Sequence, residues 1–244
     1  MKFPPSTYDF LQGRRTSTSL TINYQGENSH LDRISFILKE IEGKNAIHLG
    51  CADHIDVIQE KVKNRIWLHQ QMVEKASRCL GIDNNQEAIT FIKELGFNDV
   101  LCADISTVNC QEILNNRWDF LVMGEILEHL NNPCHFLSQI NERYKNINKI
   151  IITVPNALYW MNVNSIKKNI ETINSDHRFW FTPYTLAKIC TMAGYNVQDF
   201  HFVNSCPYYR TEIRAKLHNY LSNIKVINKR IPTMKQTLIM IVSN

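Results

Sequence analysis

The chain has 244 residues, which is enough for one large domain with its own core, and its 44% hydrophobic and 20% charged residues are ordinary for a globular protein. The net charge of +4 is a mild basic excess that does not by itself indicate nucleic acid. No apolar run approaches the roughly 20 residues of a membrane span, and Met1–Pro5 lacks the apolar core of a secretion signal. The seven cysteines include no Cys-x-x-Cys pair. They therefore favour a cytoplasmic protein with reduced thiols, and no metal site or disulfide framework is predicted.

The predicted elements begin after a polar segment. The first thirty residues are interpreted as an N-terminal arm or lid. Apolar residues at 3–4 residue spacing then predict a helix from Leu31 to Ile41, which Gly43 ends. Seven short apolar runs follow as predicted strands: Ala46–Leu49, Cys79–Ile82, Val100–Cys102, Phe120–Met123, Ile150–Val154, Val197–Val203 and Leu238–Val242.

Amphipathic segments separate these strands. Asn85–Leu95 and Cys134–Tyr144 are predicted helices, and a helical stretch of about thirty residues is expected between the last two strands. The pattern predicts a single α/β domain with a doubly wound, mostly parallel seven-stranded sheet, helices on both faces and an antiparallel last strand. Its expected parts are the arm and first helix at 1–43, a cofactor-binding half at 44–155, and an acceptor-side segment with the last strands at 156–244.

The ends of the first two strands carry residues suited to a nucleoside. The first strand ends in Gly50, Cys51 and Ala52, small residues that let backbone N–H groups approach a ligand. The second ends in Asp83 and Asn84, where a carboxylate is well placed to hydrogen-bond a ribose diol. These positions predict a nucleoside cofactor.

The third strand end repeats the pattern, because Asp104 and Ile105 follow it. Ligands bind at the carboxyl edge of open α/β sheets, so the three strand ends support one another. Structural alternatives remain for each residue alone. Gly50 can belong to an ordinary strand-to-helix turn, and Asp83 can be a helix N-cap.

The fourth strand leads into Gly124 and Glu125, and Glu128 and His129 follow. The spacing predicts that Glu125, Glu128 and His129 lie on one helical turn. In the alternative interpretation Glu128 is a carboxylate at a helix N-terminus, and His129 is a half-buried histidine with a structural hydrogen bond.

Together these pieces resemble one family, the class I, Rossmann-like S-adenosylmethionine-dependent methyltransferases, from about His30 to the C-terminus. The stretch from Glu125 to Pro133 resembles the Glu-x-x-Glu-His-x-x-x-Pro signature of small-molecule and glycan methyltransferases. The turn from Gly50 to His54 is similar to a bacterial subgroup associated with surface-polysaccharide synthesis. Further matching pieces are Gly81-Ile82-Asp83, Ala103-Asp104-Ile105, Thr153-Val154-Pro155-Asn156 and Phe181-Thr182-Pro183.

The resemblance implies S-adenosyl-L-methionine as the cofactor and a hydroxyl of a sugar, a polysaccharide precursor or another small molecule as the methyl acceptor. It also implies cofactor contacts at four strand ends. These are Gly50, Cys51 and Ala52 at the methionine part, Asp83 and Asn84 at the ribose, Asp104 and Ile105 at the adenine, and Gly124 and Glu125 near the transferred methyl group.

Three residues depart from the family pattern. His48 stands where an acidic residue is usual at the end of the first strand, and Ala52 and His54 replace glycines. The altered turn is the main support for one alternative, a catalytically silent binding module with this fold. A nicotinamide-dependent sugar-modifying enzyme is the other alternative, and the absence of Gly-x-Gly-x-x-Gly disfavours it.

The resemblance places the acceptor beside the segment Asn156–Phe181. A neutral hydroxyl acceptor needs a base near the attacking oxygen. His177 is the candidate, with Asp176 to orient it, because a pKa near 6.5 suits this role. His129 and Glu125 are the other candidates, and a structural hydrogen bond that holds the loop is the alternative for His177.

A basic stretch at 206–236 carries seven basic residues against one acid, Glu212. One interpretation is a solvated helical face. The other is contact with an anionic partner, such as a phosphate-bearing lipid-linked glycan or a membrane surface. No specific nucleic-acid partner is predicted, because no recognised binding motif accompanies the charge. The basic residues are Arg210, Arg214, Lys216, Lys225, Lys229, Arg230 and Lys235.

Overall fold

The computed structural model describes residues 1–205 and 232–244. Their strands form one seven-stranded sheet with the order β3-β2-β1-β4-β5-β7-β6. The strands are β1 (Asn45–Leu49), β2 (Arg78–Asp83), β3 (Val100–Cys102), β4 (Trp118–Gly124), β5 (Ile147–Pro155), β6 (Asn196–Val203) and β7 (Thr237–Ser243). All seven predicted strands are confirmed at these positions.

The sheet is parallel except at its last strand. Strands β1 to β5 pair in parallel, whereas β7 lies between β5 and β6 and is antiparallel to both. Thr237 at the start of β7 pairs with Pro155 at the end of β5, and also with Val203 at the end of β6. The predicted α/β class with a mostly parallel sheet and an antiparallel last strand is therefore confirmed.

Helices cover both faces of the sheet. They are α1 (Tyr8–Leu11), α2 (Arg33–Ile41), α3 (Ile55–Lys63), α4 (Leu68–Lys75), α5 (Gln86–Glu94), α6 (Gln111–Leu114), α7 (Pro133–Arg143), α8 (Trp160–Ile166) and α9 (Pro183–Met192). Short 3-10 turns lie at Pro5–Thr7, Leu127–His129 and Pro232–Met234. The helices predicted at 31–41, 85–95 and 134–144 correspond to α2, α5 and α7.

Polar caps set where the predicted helices begin. The side chains of Asp32, Asn85 and Asn132 each accept a hydrogen bond from the backbone N–H three residues further on. Each cap satisfies a donor that the first turn of a helix leaves unpaired. Helices α5 and α7 therefore begin directly after the loops that carry Asp83 and His129.

The core lies on both sides of the sheet, as alternation along β4 shows. Leu121 and Met123 belong to the cluster under α7 and α9, while Phe120 and Val122 belong to the cluster that packs with α2 and α4. Successive strand residues point to opposite faces. Both faces of β4 are therefore covered, as a parallel sheet requires.

The first residues pack as part of the core and do not form a free arm. The Phe3 ring lies 4.9 Å from the ring of Phe200 in β6, and Lys2 forms an isolated bridge with Gln25. Phe3 is buried, as is Leu11 in α1. Phe3 and Leu11 are apolar and gain from burial, so the beginning of the predicted arm or lid packs against the sheet.

Most of the basic stretch at 206–236 lies outside the described residues, and so does the helical stretch predicted between β6 and β7. Lys235 is described, and it is buried. Its ammonium donates to the carbonyl oxygen of Ser29 at 3.0 Å, and burial lowers its pKa. Lys235 therefore does not belong to a solvated basic face. Over residues 1–205 and 232–244, no helix has the length and apolar character to cross a membrane.

Candidate active site

A cleft of about 460 Å³ opens at the carboxyl ends of β1 and β4. These neighbouring strands lie where the order of the sheet reverses, so the loops that follow them diverge. The end of β1 contributes His48, Gly50 and Ala52 to the lining, and the end of β4 contributes Gly124 and Glu125. The cleft is therefore at the edge where the sequence predicts a ligand.

The turn after β1 needs glycine at position 50. Gly50 has φ +69°, and a Cβ there would lie 2.8 Å from Cδ1 of Ile126. Its N–H donates to the carbonyl oxygen of Ile82 at 2.8 Å. The backbone thus turns sharply and keeps open a space that a side chain would fill. Cys51 beside it is buried, and burial raises the pKa of its thiol, so Cys51 packs as an apolar group.

Asp83 joins the ends of β1 and β2. One carboxylate oxygen accepts from the N–H of Ala52 at 3.1 Å, and the other accepts from the N–H of Asn85 at 3.0 Å. The N-cap of α5 is Asn85, so the N-cap alternative for Asp83 is wrong. A carboxylate has about four acceptor sites, which leaves Asp83 capacity for a diol. Asn84 is exposed beside it.

Asp104 and Ile105 follow β3 and differ in burial. The Asp104 carboxylate accepts from the N–H of Ser106 at 3.0 Å and from its hydroxyl at 2.6 Å. Asp104 is exposed, whereas Ile105 is buried in the core. Neither residue lines the cleft at the ends of β1 and β4.

Glu125 ends β4 in an unusual backbone conformation. Its φ is +58°, in a region that non-glycine residues seldom adopt. Its side chain accepts a hydrogen bond from the Thr153 hydroxyl at 3.2 Å and lies 3.9 Å from the guanidinium of Arg33. The prediction that Glu125, Glu128 and His129 share one helical turn is wrong, because this residue separates β4 from the 3-10 turn Leu127–His129.

Glu128 is fully buried in that turn. Neither oxygen of its carboxyl group has a hydrogen-bond partner among residues 1–205 and 232–244. Burial, and secondarily the charge of Glu125, raises the pKa of Glu128 to about 8. Burying such a group without a partner is costly. The sequence pattern marks Glu128 as part of a motif but carries no sign of this burial.

The structure brings His177 and His129 together although they are far apart in the sequence. Asp176, which directly precedes His177, lies 47 positions after His129. The two imidazole rings are 4.6 Å apart between centroids. Asp176 contacts Nδ1 of His129 at 3.0 Å. The predicted pairing of Asp176 with His177 is therefore wrong, because Asp176 lies in a turn that the N–H of His177 closes on the carbonyl oxygen of Asn174, and its carboxylate contacts His129 instead. The N–H of Arg178 donates to the carbonyl oxygen of Glu128 at 2.7 Å and fixes the loop beside the turn.

His177 is half-buried beside this pair. Its Nδ1 is buried and has no hydrogen-bond partner in the described part of the chain. Burial, and then the neighbouring His129, lowers the pKa of His177. Its imidazole is therefore uncharged at neutral pH and keeps a lone pair for a proton or another electrophile.

A second histidine pair lies under the cleft. His48 and His69 are buried, and their Nδ1 atoms are 3.3 Å apart, so one must donate and the other accept. Burial lowers the pKa of His69 to about 4 and that of His48 well below its usual value. The ring of His69 also lies against β2, where a Cβ on Gly81 would be 2.7 Å from its Cε1. His48 thus presents an uncharged polar group at the position where an acidic residue is usual in the resembling family.

A family model described as a methyltransferase domain matches residues 23–199. No curated protein matched the sequence. Solved structures with a similar fold include the small RNA methyltransferase HEN1, at 13% identity and a TM-score of 0.56, with 91% of this chain and 27% of that chain covered.

Two further similar structures are bacterial. Magnesium protoporphyrin IX methyltransferase from Synechocystis PCC 6803 with bound SAH has 8% identity and a TM-score of 0.51, and 86% of this chain and 81% of that chain are covered. A putative S-adenosylmethionine-dependent methyltransferase from Listeria monocytogenes has 10% identity and a TM-score of 0.50, with coverages of 86% and 94%. At such identities the likeness shows the fold.

The His48–His69 pair predicts a loss of stability in acid. Both pKa values are lower in the folded chain than in the unfolded chain, so the unfolded state binds more protons as pH falls. The contribution is complete above about pH 6.5 and is lost toward pH 4, and the shift at His69 alone corresponds to at most about 3 kcal/mol. Denaturant unfolding at a series of pH values measures it.

His69→Asn should flatten this dependence of the free energy of unfolding on pH. His135→Gln is the matched control, since His135 is exposed on α7. Parallel pH profiles for the wild type and His69→Asn would contradict the assignment.

Proposed function

Since the chain belongs to the methyltransferase domain family, we propose that it methylates a hydroxyl of a sugar, a polysaccharide precursor or another small molecule. Its cofactor is S-adenosyl-L-methionine, as the sequence predicts. The hydroxyl acceptor is supported by one observation above all, the His129–His177 pair next to Glu125 at the β4 end of the cleft. These groups are suited to receive the proton that a hydroxyl loses when it attacks.

The residues at the ends of β1 and β2 are suited to the cofactor. The open turn at Gly50, Cys51 and Ala52 suits close approach of the methionine part, and the spare acceptor capacity of Asp83, with Asn84 beside it, suits the ribose hydroxyls. We assign Asp104 and Ile105 to the adenine and Gly124 and Glu125 to the methyl end. These four residues are assigned because they follow β3 and β4 at the carboxyl edge of the sheet, where ligands bind in open α/β sheets.

When bound, S-adenosylmethionine supplies an electrophilic methyl group on a positively charged sulfur. Transfer forms an oxygen–carbon bond and breaks the sulfur–carbon bond, whose electron pair stays on sulfur. The chain has to hold the acceptor oxygen in line and exclude water, and such positioning can contribute several kcal/mol. The proton of the hydroxyl leaves at the His129–His177 pair, where His177 is uncharged and Asp176 holds His129.

The segment after β5 supports a sugar-like acceptor. A second cleft of about 470 Å³ is lined by Trp180 together with Asn162 and Ser165. An aromatic face combined with amide and hydroxyl groups suits a polyhydroxylated ring. We propose that this segment binds the acceptor, in a cytoplasmic enzyme of polysaccharide biosynthesis.

Replacement of Asp83 tests the cofactor site. Asp83→Ala should weaken S-adenosylhomocysteine binding by roughly 1.5–3 kcal/mol, because hydrogen bonds to a charged group are lost. Isothermal titration calorimetry measures the change. Asp119→Ala is the matched control, since Asp119 also accepts from a backbone N–H, that of Asn45 at 2.9 Å, at the opposite edge of the sheet. Equal affinities of a folded Asp83→Ala variant and the wild type would refute the ribose assignment.

Replacement of His177 tests the proton transfer. His177→Ala should lower kcat at least about 100-fold, while S-adenosylhomocysteine affinity stays unchanged because His177 does not line the cleft. Turnover is measured as S-adenosylhomocysteine release with a panel of sugars, sugar phosphates and nucleotide sugars. His135→Ala, an exposed histidine elsewhere, should keep wild-type turnover. A fully active His177→Ala variant would remove this residue from the chemistry.

The basic stretch at 206–236 gives a separate proposal about partners, which its sequence charge supports. If it meets an anionic acceptor or a membrane surface, replacing Arg210, Arg214 and Lys216 with Gln should raise the KM of the acceptor. Added salt should have the same effect on the wild type through screening. Cofactor affinity should not change. A KM that responds to neither change would favour the solvated-face interpretation.

A further inference from the structure

We propose that Glu128, His129 and His177 form a binding site for a divalent transition-metal ion at the β4 end of the cleft. One nitrogen or oxygen atom from each of the three side chains lies within 4.8 Å of the other two. This separation allows a single ion to contact all three after small side-chain rotations. The site joins the turn after β4 to the loop that carries Asp176 and His177, and no metal is predicted there from the sequence.

Glu128 provides an independent reason to expect a ligand. It is completely buried, and both of its oxygens lack a hydrogen-bond partner within the described ranges. The nearby cations already have their own carboxylates. Arg33 lies 3.9 Å from Glu125, and Arg178 lies 3.8 Å from Asp176. A bound cation would supply a direct partner for the two oxygens of the Glu128 carboxylate, which have no hydrogen-bond partner among the described residues.

The two histidines have the forms that a metal site needs. His177 has a buried Nδ1 without a partner among the residues described, so its lone pair is available. The Nδ1 of His129 is engaged by Asp176 at 3.0 Å, which leaves Nε2 of His129 as its ligand atom. A carboxylate that orients a metal-binding histidine through its other nitrogen is a common feature of such sites. Asp176 is thus a positioning residue for the ion.

The donor set indicates the class of metal. Two imidazoles and one carboxylate suit first-row divalent ions such as Mn²⁺, Co²⁺ or Zn²⁺ better than Ca²⁺, which prefers oxygen ligands alone. Three protein ligands also leave coordination positions open. His129 lines the cleft, so an open position can face a bound molecule there.

This site deepens the proposed function, on which its catalytic role rests, although binding of the ion does not depend on that function. A hydroxyl that coordinates the ion loses its proton to solvent more readily, because the positive charge stabilises the resulting oxygen anion. The oxygen then attacks the methyl group with its electron pair. In this arrangement His129 and His177 hold the ion, and the proton of the hydroxyl passes to solvent instead of to either imidazole.

Metal binding by the full chain tests the proposal directly. Co²⁺ titration followed by visible absorption, and Mn²⁺ titration by calorimetry, should both show one ion per chain after removal of metal with a chelator. Glu128→Gln keeps the shape of the side chain but removes its charge, and it should weaken Mn²⁺ at least about 100-fold. Asp176→Asn should weaken it about 10–100-fold. His135→Gln should bind as the wild type does.

Thermal unfolding guards against misfolded variants. Mn²⁺ should raise the Tm of the wild type, because a ligand that binds only the folded state stabilises it. Glu128→Gln should unfold cooperatively with a Tm that Mn²⁺ leaves unchanged. The proposal is overturned if the wild type binds none of Mn²⁺, Co²⁺ and Zn²⁺ at millimolar concentration, or if Glu128→Gln binds them as tightly as the wild type.

Activity separates this proposal from the proposed function. Loss of methyl transfer in chelator and its return with Mn²⁺ would support the catalytic role of the site. Unchanged methyl transfer in chelator would refute that role and leave the proposed function intact. An ion that binds as expected in a chain that binds S-adenosylhomocysteine but methylates no hydroxyl would support the site and refute the proposed function.

Discussion

The Asp83 carboxylate is the interaction on which the geometry of the cleft depends. It links the backbone of the β1 turn, at Ala52, to the backbone that leads into α5, at Asn85. The β1 turn can come this close only because Gly50 has a positive φ and no side chain. A charge-assisted hydrogen bond of this kind is stronger than a neutral one. The ends of two strands are therefore held at a fixed separation before any ligand arrives.

Several buried polar groups lie around this cleft and are costly there. His48 and His69 share one hydrogen bond under its floor, and Glu128 is buried with neither oxygen paired in the described chain. Glu125 adds a strained backbone at the end of β4. Such features cost free energy in the folded state and persist when the surrounding structure enforces them. At this edge of the sheet, free energy of folding is therefore lost to groups that can act on a ligand.

The strands and several helices could be predicted because local sequence determines them. Apolar runs such as that of β4 are buried on both faces, and polar caps such as Asn85 mark helix starts. The site was only partly predictable. Asp83 at a strand end is a local signal, whereas the contact of Asp176 with His129 depends on a loop that returns from far along the chain. The positive φ of Glu125 and the complete burial of Glu128 likewise arise from tertiary packing, which no spacing of residues encodes.

Because β7 lies between β5 and β6 and runs antiparallel to both, the sheet fixes both ends of the connection between β6 and β7. Thr237 pairs with the ends of both β5 and β6, so the chain leaves the sheet at Val203 and re-enters it at the same edge. The two anchor points of this connection are thus fixed by the sheet, whatever sequence lies between them. Because the cost of joining fixed ends rises only slowly with the length of the segment between them, a change in its length should alter the stability of the sheet little. Related chains can therefore diversify in this connection, at the ligand-binding edge, while the sheet itself stays unchanged.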